Sequence, residues 1–327
     1  MAVAFVAVQL VLGPDEVGGP DRLEAAIAAQ VDAGLARVAA AEHRLVVVPE
    51  AIGLAAMVAL APVRARAAGT LAQLLARSAL RRPLSVLRGA LDARTLEPRH
   101  AALVGLAPDV DRWVRETLAR IARRHDAHVV GGSHLRVDDR GDVIAASHTF
   151  GPDGRLLATT DKVNLLVGLE DRTRGGLGLA RGSAARLPRI TTPFGAIAVL
   201  IGYDAFVRAD TPHERFTPLG PVIANRLHGV AVVANPAASP WGWDAAFDAD
   251  GGTCAERWRT RGLAATLAGG PVARWGVTAH LVGRILDLVF EGESAIVRDG
   301  DGGVEVVARA GQHDAGGAVT WIATELG

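Results

Sequence analysis

Residues 196–204 read Ala196-Ile-Ala-Val-Leu-Ile-Gly202-Tyr203-Asp204, an apolar run that stops on a glycine, an aromatic and an acid. A run this short and this apolar reads as a strand buried on both faces, because a strand with one wet face would alternate polar and apolar residues. Two other runs stop in a comparable way. Leu45 to Val48 ends at Pro49-Glu50, and a third is followed by Thr160-Asp161-Lys162-Val-Asn-Leu165. In α/β sheets functional side chains gather where strands stop. Glu50, Lys162 and the Gly202 turn are therefore where chemistry is expected.

Outward from these strands, apolar strands alternate with amphipathic helices. Val3 to Leu10 is a strand. Asp21 to His43 has helical periodicity, with Leu23, Ile27, Val31 and Leu35 on one face. Asp109 to Arg124 is a second helix, with Trp113, Leu118 and Ile121 inward, and Glu256 to Leu267 a third. Val129 to Gly132, Val143 to Phe150 and Val230 to Ala234 are strands, with a turn at Gly151-Pro-Asp-Gly154. Ser294 to Val297 and Val304 to Ala308 flank Asp299-Gly-Asp-Gly302 as a hairpin. Hairpins mixed with helical crossovers predict α/β layers built on mixed sheets.

One stretch stands apart. Residues 51–100 hold eight arginines (Arg64, Arg66, Arg77, Arg81, Arg82, Arg88, Arg94, Arg99) against Asp92 and Glu97, and Leu71, Leu74, Leu75 and Leu80 give it an amphipathic face. It reads as a pair of surface helices, as a lid over a pocket, or as a membrane-surface contact.

The bulk numbers narrow the class. The formal net charge is zero, which is not the strongly basic footprint of a nucleic-acid binder. The single cysteine, Cys254, permits neither an intrachain disulfide nor a cysteine-based metal cluster. Met1 to Gly13 has no basic residue before its apolar run and reads as a buried strand rather than a signal peptide. The longest apolar run elsewhere, Ala51 to Val63, is too short to span a bilayer. The expected location is cytoplasmic. His125 and His128 sit three apart and could face one metal, but with no third ligand in sequence view they read as helix-end histidines. No metal and no cofactor are expected.

A carboxylate and an ammonium that meet in a semi-buried pocket make an acid–base pair, the first able to take a proton and the second able to hold an oxyanion. The residues alone leave a second reading, a plain Glu–Lys ion pair at a sheet edge. Lys162 is the only lysine among 35 basic residues.

Taken in order, these motifs resemble the nitrilase, or carbon–nitrogen hydrolase, superfamily. Val47-Val-Pro49-Glu50 resembles its hydrophobic-Pro-Glu motif, and Asp161-Lys162-Val-Asn-Leu165 its lysine motif. Gly168-Leu-Glu170 resembles the motif of its second glutamate, and Gly202-Tyr203-Asp204 the end of its nucleophile strand. Val129-Val-Gly-Gly-Ser133, Asn235-Pro236 and Phe290-Glu-Gly-Glu-Ser294 resemble further landmarks, so the resemblance covers nearly the whole chain. It implies a four-layer αββα sandwich of two mixed sheets. It also implies one hydrolase-like domain over residues 1–327, with the arginine-rich stretch at about 52–100 as a helical insertion, and a homodimer. In the family a cysteine attacks a nitrile or amide carbon. Carried over, Glu50 is the base, Lys162 the electrophilic support, Glu170 the supporting carboxylate and the Tyr203 N–H an oxyanion donor. Asn235 and Trp241 are candidates to touch substrate, although Trp241-Gly-Trp243 reads equally as aromatic loop packing.

The departures matter as much. Glycine, Gly202, stands where the family keeps its cysteine, and Arg261-Gly-Leu-Ala-Ala265 lacks the Glu-Asn pair that often follows the family arginine. A glycine cannot form a covalent intermediate, and loss of a nucleophile costs on the order of 10⁶ in kcat in a comparable hydrolase. Cys254 lies far along the chain and is not expected to substitute. Against decay of the pocket stands Lys162: a lone lysine would fall on the family position by chance about once in the 35 basic residues. Two readings follow. One is a family member without covalent hydrolysis that keeps a pocket for a small amide, nitrile, carboxylate or carbamoyl compound, or that serves as a partner subunit. The other is a hydrolase that uses water, lodged in the space left by the thiol and activated by Glu50.

Overall fold

In strand β1 (Val3–Leu12) every residue but one is buried. Alternate side chains serve two different cores. Val3, Phe5 and Ala7 face one apolar cluster, while Ala4, Val6 and Val8 face another. The same division holds in β2 (His43–Val48), where Leu45 and Val47 join the first cluster and Val46 and Val48 the second. A strand needs apolar residues at every position only if both its faces are covered. The computed structural model, which describes residues 1–81, 83–92, 97–173, 176–247 and 252–324, supplies both covers.

The first sheet runs β5 (Leu156–Asp161), β4 (Val143–Phe150), β3 (His128–Val137), β2, β1, β13 (Gly317–Ala323). Its β1–β2 and β2–β3 pairs are parallel and the rest antiparallel. The second sheet runs β6 (Ile190–Thr192), β7 (Gly195–Val199), β8 (Val230–Ala238), β9 (Trp275–Ile285), β11 (Ala295–Gly300), β12 (Gly303–Arg309), with short β10 (Leu288–Phe290) on the end of β9. Phe5, Leu45 and Val47 from the first sheet and Ile197, Val199, Val232 and Val277 from the second share one core. The sheets thus face each other, as expected for the sandwich. They also join at one corner, where Leu10–Leu12 of β1 pair in parallel with Leu281–Gly283 of β9.

Helices cover the outer faces. Helices α1 (Pro20–Ala36), α2 (Ile52–Leu60) and α6 (Pro98–His125) pack on the first sheet through Leu23, Ile27, Val31, Ile52, Val114 and Leu118. Helices α7 (Gly220–Arg226) and α9 (Leu263–Ala268) pack on the second through Ile223, Leu263 and Leu267. Helix α8 (Cys254–Arg261) closes the strand-end side and begins with a Thr253–Glu256 capping box. The arginine-rich stretch forms α3 (Val63–Arg66), α4 (Leu71–Arg81) and α5 (Pro83–Asp92). Its Arg82 and Arg94, like Gly251 before Cys254, lie outside the described residues.

Several boundaries differ from the sequence reading. Helix α1 stops at Ala36 rather than reaching His43, because residues from His43 are needed as β2 beside β1. The Glu256–Leu267 helix is two helices, broken at Gly262, whose ψ of −153° is extended. On α4, Leu74 and Leu75 are buried, but Leu80 is 81% exposed and so does not belong to the buried face.

Candidate active site

Three strand ends and one loop deliver the site. Strand β2 stops at Val48, and Pro49 leads to Glu50 just before α2. Ala51, the residue before α2, has φ +66° and donates its N–H to Ser133 Oγ at 3.3 Å. Strand β5 ends at Asp161, which is gripped through both carboxylate oxygens by Arg136 of β3 at 2.8 and 2.6 Å. The next residue is Lys162. Its backbone is pinned on both sides, N–H to Ala145 O at 2.8 Å and C=O from Gly182 N at 2.7 Å. Lys162 Nζ donates to Glu50 Oε1 at 2.6 Å and to Glu170 Oε1 at 2.7 Å. The other oxygen of Glu170 accepts the Leu166 N–H at 2.8 Å, which ties the loop back on itself.

Strand β7 leads through Leu200 and Ile201 into a 3-10 turn over Gly202–Ala205. Gly202 has φ +50°, in the left-handed region that glycine enters without a steric cost. The first rung of the turn runs from Asp204 N to Ile201 O at 3.0 Å, so the Tyr203 N–H precedes the ladder. A Cβ placed on Gly202 would lie 2.1 Å from Glu50 Oε2 and 3.0 Å from its Cδ. The Glu50 carboxylate therefore fills the volume that a side chain at position 202 would need. Asp204 is buried beneath, and its carboxylate accepts the backbone N–H groups of Val163 (3.1 and 3.2 Å) and Asn164 (2.6 Å). It thereby locks the Gly202 turn to the chain that follows Lys162.

The charges form one coupled set. Burial pushes Glu50 up to about 7; the Lys162 ammonium and the Ala238 N–H oppose this, and the like charge of Glu170 adds to it. For Lys162 burial works against the charge, but the two carboxylates outweigh it and hold the ammonium charged well above the ordinary lysine range. Asp204 is raised to about 7 by burial, against its backbone donors and Lys162. One ammonium among three carboxylates leaves surplus negative charge in a dry place, so protons held near neutral pH on Glu50 and Asp204 are the physical consequence.

A pocket opens on the other side of Glu50. It encloses about 730 Å³ of empty space, open solvent at its mouth included. Glu50 and Glu170 line it, whereas Lys162 and Gly202 lie behind them and do not.

No protein-family model matches the chain, and no curated protein matches it. Solved structures do. The chain is similar to a cysteine-to-serine mutant of the Nesterenkonia AN1 amidase from the nitrilase superfamily, at 16% identity and TM-score 0.58, over 98% of this chain and 90% of that one. It is similar to Saccharomyces cerevisiae Nit3, a member of branch 10 of the same superfamily, at 18% identity and TM-score 0.57, over 98% and 89%. A carbon–nitrogen hydrolase from Helicobacter pylori G27 superposes with TM-score 0.62 at 12% identity, over 98% and 88%. The fold is that of the nitrilase superfamily.

Within this nitrilase fold the structure brings Glu50, Lys162, Glu170 and Gly202 together. Tyr203 contributes its backbone to the turn and sends its side chain elsewhere: its hydroxyl donates to Glu214 Oε2 at 2.7 Å and accepts the Asp210 N–H at 2.7 Å. Asn235 is fully buried and donates to Leu200 O at 2.7 Å and Gly202 O at 3.4 Å, so it fastens the turn and is not among the lining side chains. Trp241 packs edge-on against Phe247 at 5.3 Å, and its neighbour Pro240 lines the pocket instead. Cys254 is buried against Ser239, Sγ to Oγ 3.1 Å, and burial raises its thiol pKa. His125 pairs with Asp32 at 2.8 Å while His128 sits edge-on to Phe194, so the two do not form a pair.

Sequence reasoning missed two features. Asp204 stood in the quoted motif without a role, and its neighbours gave no sign that it would accept two N–H groups from a distant segment. The second is a His–Asp–His cluster in which Asp111 Oδ1 accepts from both His134 and His148 at 2.9 Å. Burial lowers His134 to about 4, and the cluster braces α6 against β3 and β4.

Proposed function

We propose that this chain is a carbon–nitrogen hydrolase-fold protein that binds a small amide or carbamoyl compound without covalent hydrolysis. The observation that carries the reading is at position 202: no side chain is present, and Glu50 Oε2 stands 2.1 Å from where a Cβ would be. In the resemblance stated above Glu50 serves a neighbouring sulfur. Here it has no such neighbour and occupies the place itself. The Lys162 contacts at 2.6 and 2.7 Å keep both carboxylates fixed at the pocket floor. Two carboxylates suit the N–H donors of an amide, and a protonated Glu50 can donate to a carbonyl oxygen. A free carboxylate would meet like charge from Glu170, so amides and carbamoyl compounds fit better than acids.

A second reading is favoured by one observation. Glu50 lines the pocket with its pKa pushed to about 7, the range of an effective general base. A water on the pocket side of Glu50 would be the nucleophile, since the space beside Gly202 is filled. An amide and nitrile panel decides between the two. The binding reading predicts ammonia release no faster than from buffer. Turnover that rises with pH through about 7 and disappears in Glu50→Gln would establish the water mechanism instead.

A further inference from the structure

Among the described residues, Asp111, His134 and His148 bring three side chains of metal-ligating type together, their ligand atoms all within 4.8 Å of one another. They come from three elements. Asp111 belongs to α6, His134 to β3 and His148 to β4. In the antiparallel β3–β4 pair His134 stands opposite Ala146, and His148 lies two residues further along β4, so both imidazoles leave one face of the sheet. Their ring centroids are 4.2 Å apart. Each Nε2 lies 2.9 Å from the same oxygen, Asp111 Oδ1. A tetrahedral zinc ion with bonds of roughly 2.0–2.1 Å sets its ligand atoms about 3.3 Å apart. Small outward shifts of the three side chains therefore open their centre to an ion. The other nitrogen of His148, Nδ1, is hydrogen-bonded to Thr159 Oγ1 of β5 at 2.9 Å, the kind of outer partner that fixes the ring of a metal-bound histidine.

The cluster also has an entrance. Asp111, His148 and Thr159 line a surface cleft together with Pro108, Arg115 and Arg136, through which an ion and its water ligands can enter. The two arginines oppose a cation there, and each is accounted for. Arg136 is committed to Asp161 through two hydrogen bonds, of 2.8 and 2.6 Å, which offset its charge. Arg115 lies 3.7 Å from Asp111 Oδ2 on a half-exposed side chain, so it can turn to solvent when an ion takes its place. We infer that Asp111, His134 and His148 bind a divalent transition-metal ion of the zinc class, with water from the cleft completing its coordination. Two imidazoles and one carboxylate suit such an ion, whereas calcium and magnesium require oxygen ligands. The ion ties α6 to β3 and β4. Because His134 also lines the Glu50 pocket, it fixes that wall from behind, whatever the pocket binds.

Metal titration of the chelator-treated full chain tests this, with zinc followed by calorimetry and cobalt(II) by visible absorption. The site predicts one equivalent of zinc per chain, a four-coordinate cobalt spectrum that zinc abolishes, and a melting temperature that rises with zinc concentration. Asp111→Asn and His148→Gln should each remove the cobalt spectrum. Thr159→Val should weaken zinc binding by about tenfold or more, the usual effect of losing an outer-shell partner. His213→Gln, at an exposed histidine, should leave binding unchanged. Should the ligand variants fold poorly, X-ray absorption of the zinc-loaded unmodified chain reads the ligands directly, and two imidazoles with oxygen donors are expected. A sulfur ligand, or fewer than two imidazoles, would overturn the site. Binding that survives both Asp111→Asn and His148→Gln, or that is lost in His213→Gln, would place the ion elsewhere and so contradict the inference. No stoichiometric binding of either metal would leave the cluster as a hydrogen-bonded brace and overturn the inference outright.

Discussion

At Gly202 a backbone angle and an absent side chain act together. A φ of +50° is free for glycine, whereas a side chain there would be strained by about 1–2 kcal/mol and would also have to displace Glu50. Glu50 in turn carries an electrostatic cost that can be measured. Its pKa in the folded chain, about 7, lies above the ordinary 4.5. Between those values the folded protein keeps a proton that the unfolded chain loses, so this contribution to stability is present at low pH and is lost as pH rises through about 7. At about 1.4 kcal/mol per pH unit the loss is about 3 kcal/mol. The melting temperature of Glu50→Gln, relative to the unmodified chain, is therefore expected to rise by several degrees between about pH 5 and about pH 8. A difference that stays constant over that range would mean that Glu50 is not the group being titrated. Glu50 and Lys162 were legible in the sequence because each closely follows the end of a strand, whereas Glu170 was placed only by the resemblance. That the Glu50 carboxylate fills the space beside Gly202 was not: the resemblance brought Glu50 to the site but left that space open for water.

At the level of elements, legibility followed how far each segment's residues speak for themselves. Strands β1, β2 and β7 were recognisable because burial on both faces leaves largely apolar runs. Strand β9 has no counterpart in the sequence reading although it is almost wholly buried, and it contains Gly276 and Gly283. In the structure a Cβ at Gly276 would lie 2.7–3.0 Å from Val297, Leu263 and Leu267, and one at Gly283 would meet Leu12 O at 2.1 Å. Both glycines permit close packing rather than ending the strand. Helix α6 was expected to begin at Asp109. It begins at Pro98 and carries Pro108 within it. The arginine-rich stretch was legible as amphipathic helix but not in its orientation. Leu71 contributes to the pocket wall, so the lid reading has a contact behind it, while Leu84, Leu87 and Leu91 of α5 are turned outward.

At the scale of the molecule, the two sheets join through β1 and β9, and the Glu50, Lys162 and Gly202 ends open on the same region. No helix among the described residues is long and apolar enough to cross a membrane. The homodimer remains a proposal. Light scattering at micromolar concentration is expected to give about twice the 33.9 kDa of one chain, and a value near 33.9 kDa would refute it. The account as a whole turns on whether the scaffold around position 202 is intact except for its sulfur. Intact-mass spectrometry after incubation with a reactive amide addresses this, comparing the unmodified chain with Gly202→Cys. The account predicts no adduct on the unmodified chain, Cys254 included, and an acyl adduct at the new cysteine once Glu50 withdraws to make room for it. An acyl adduct on the unmodified chain would contradict the account.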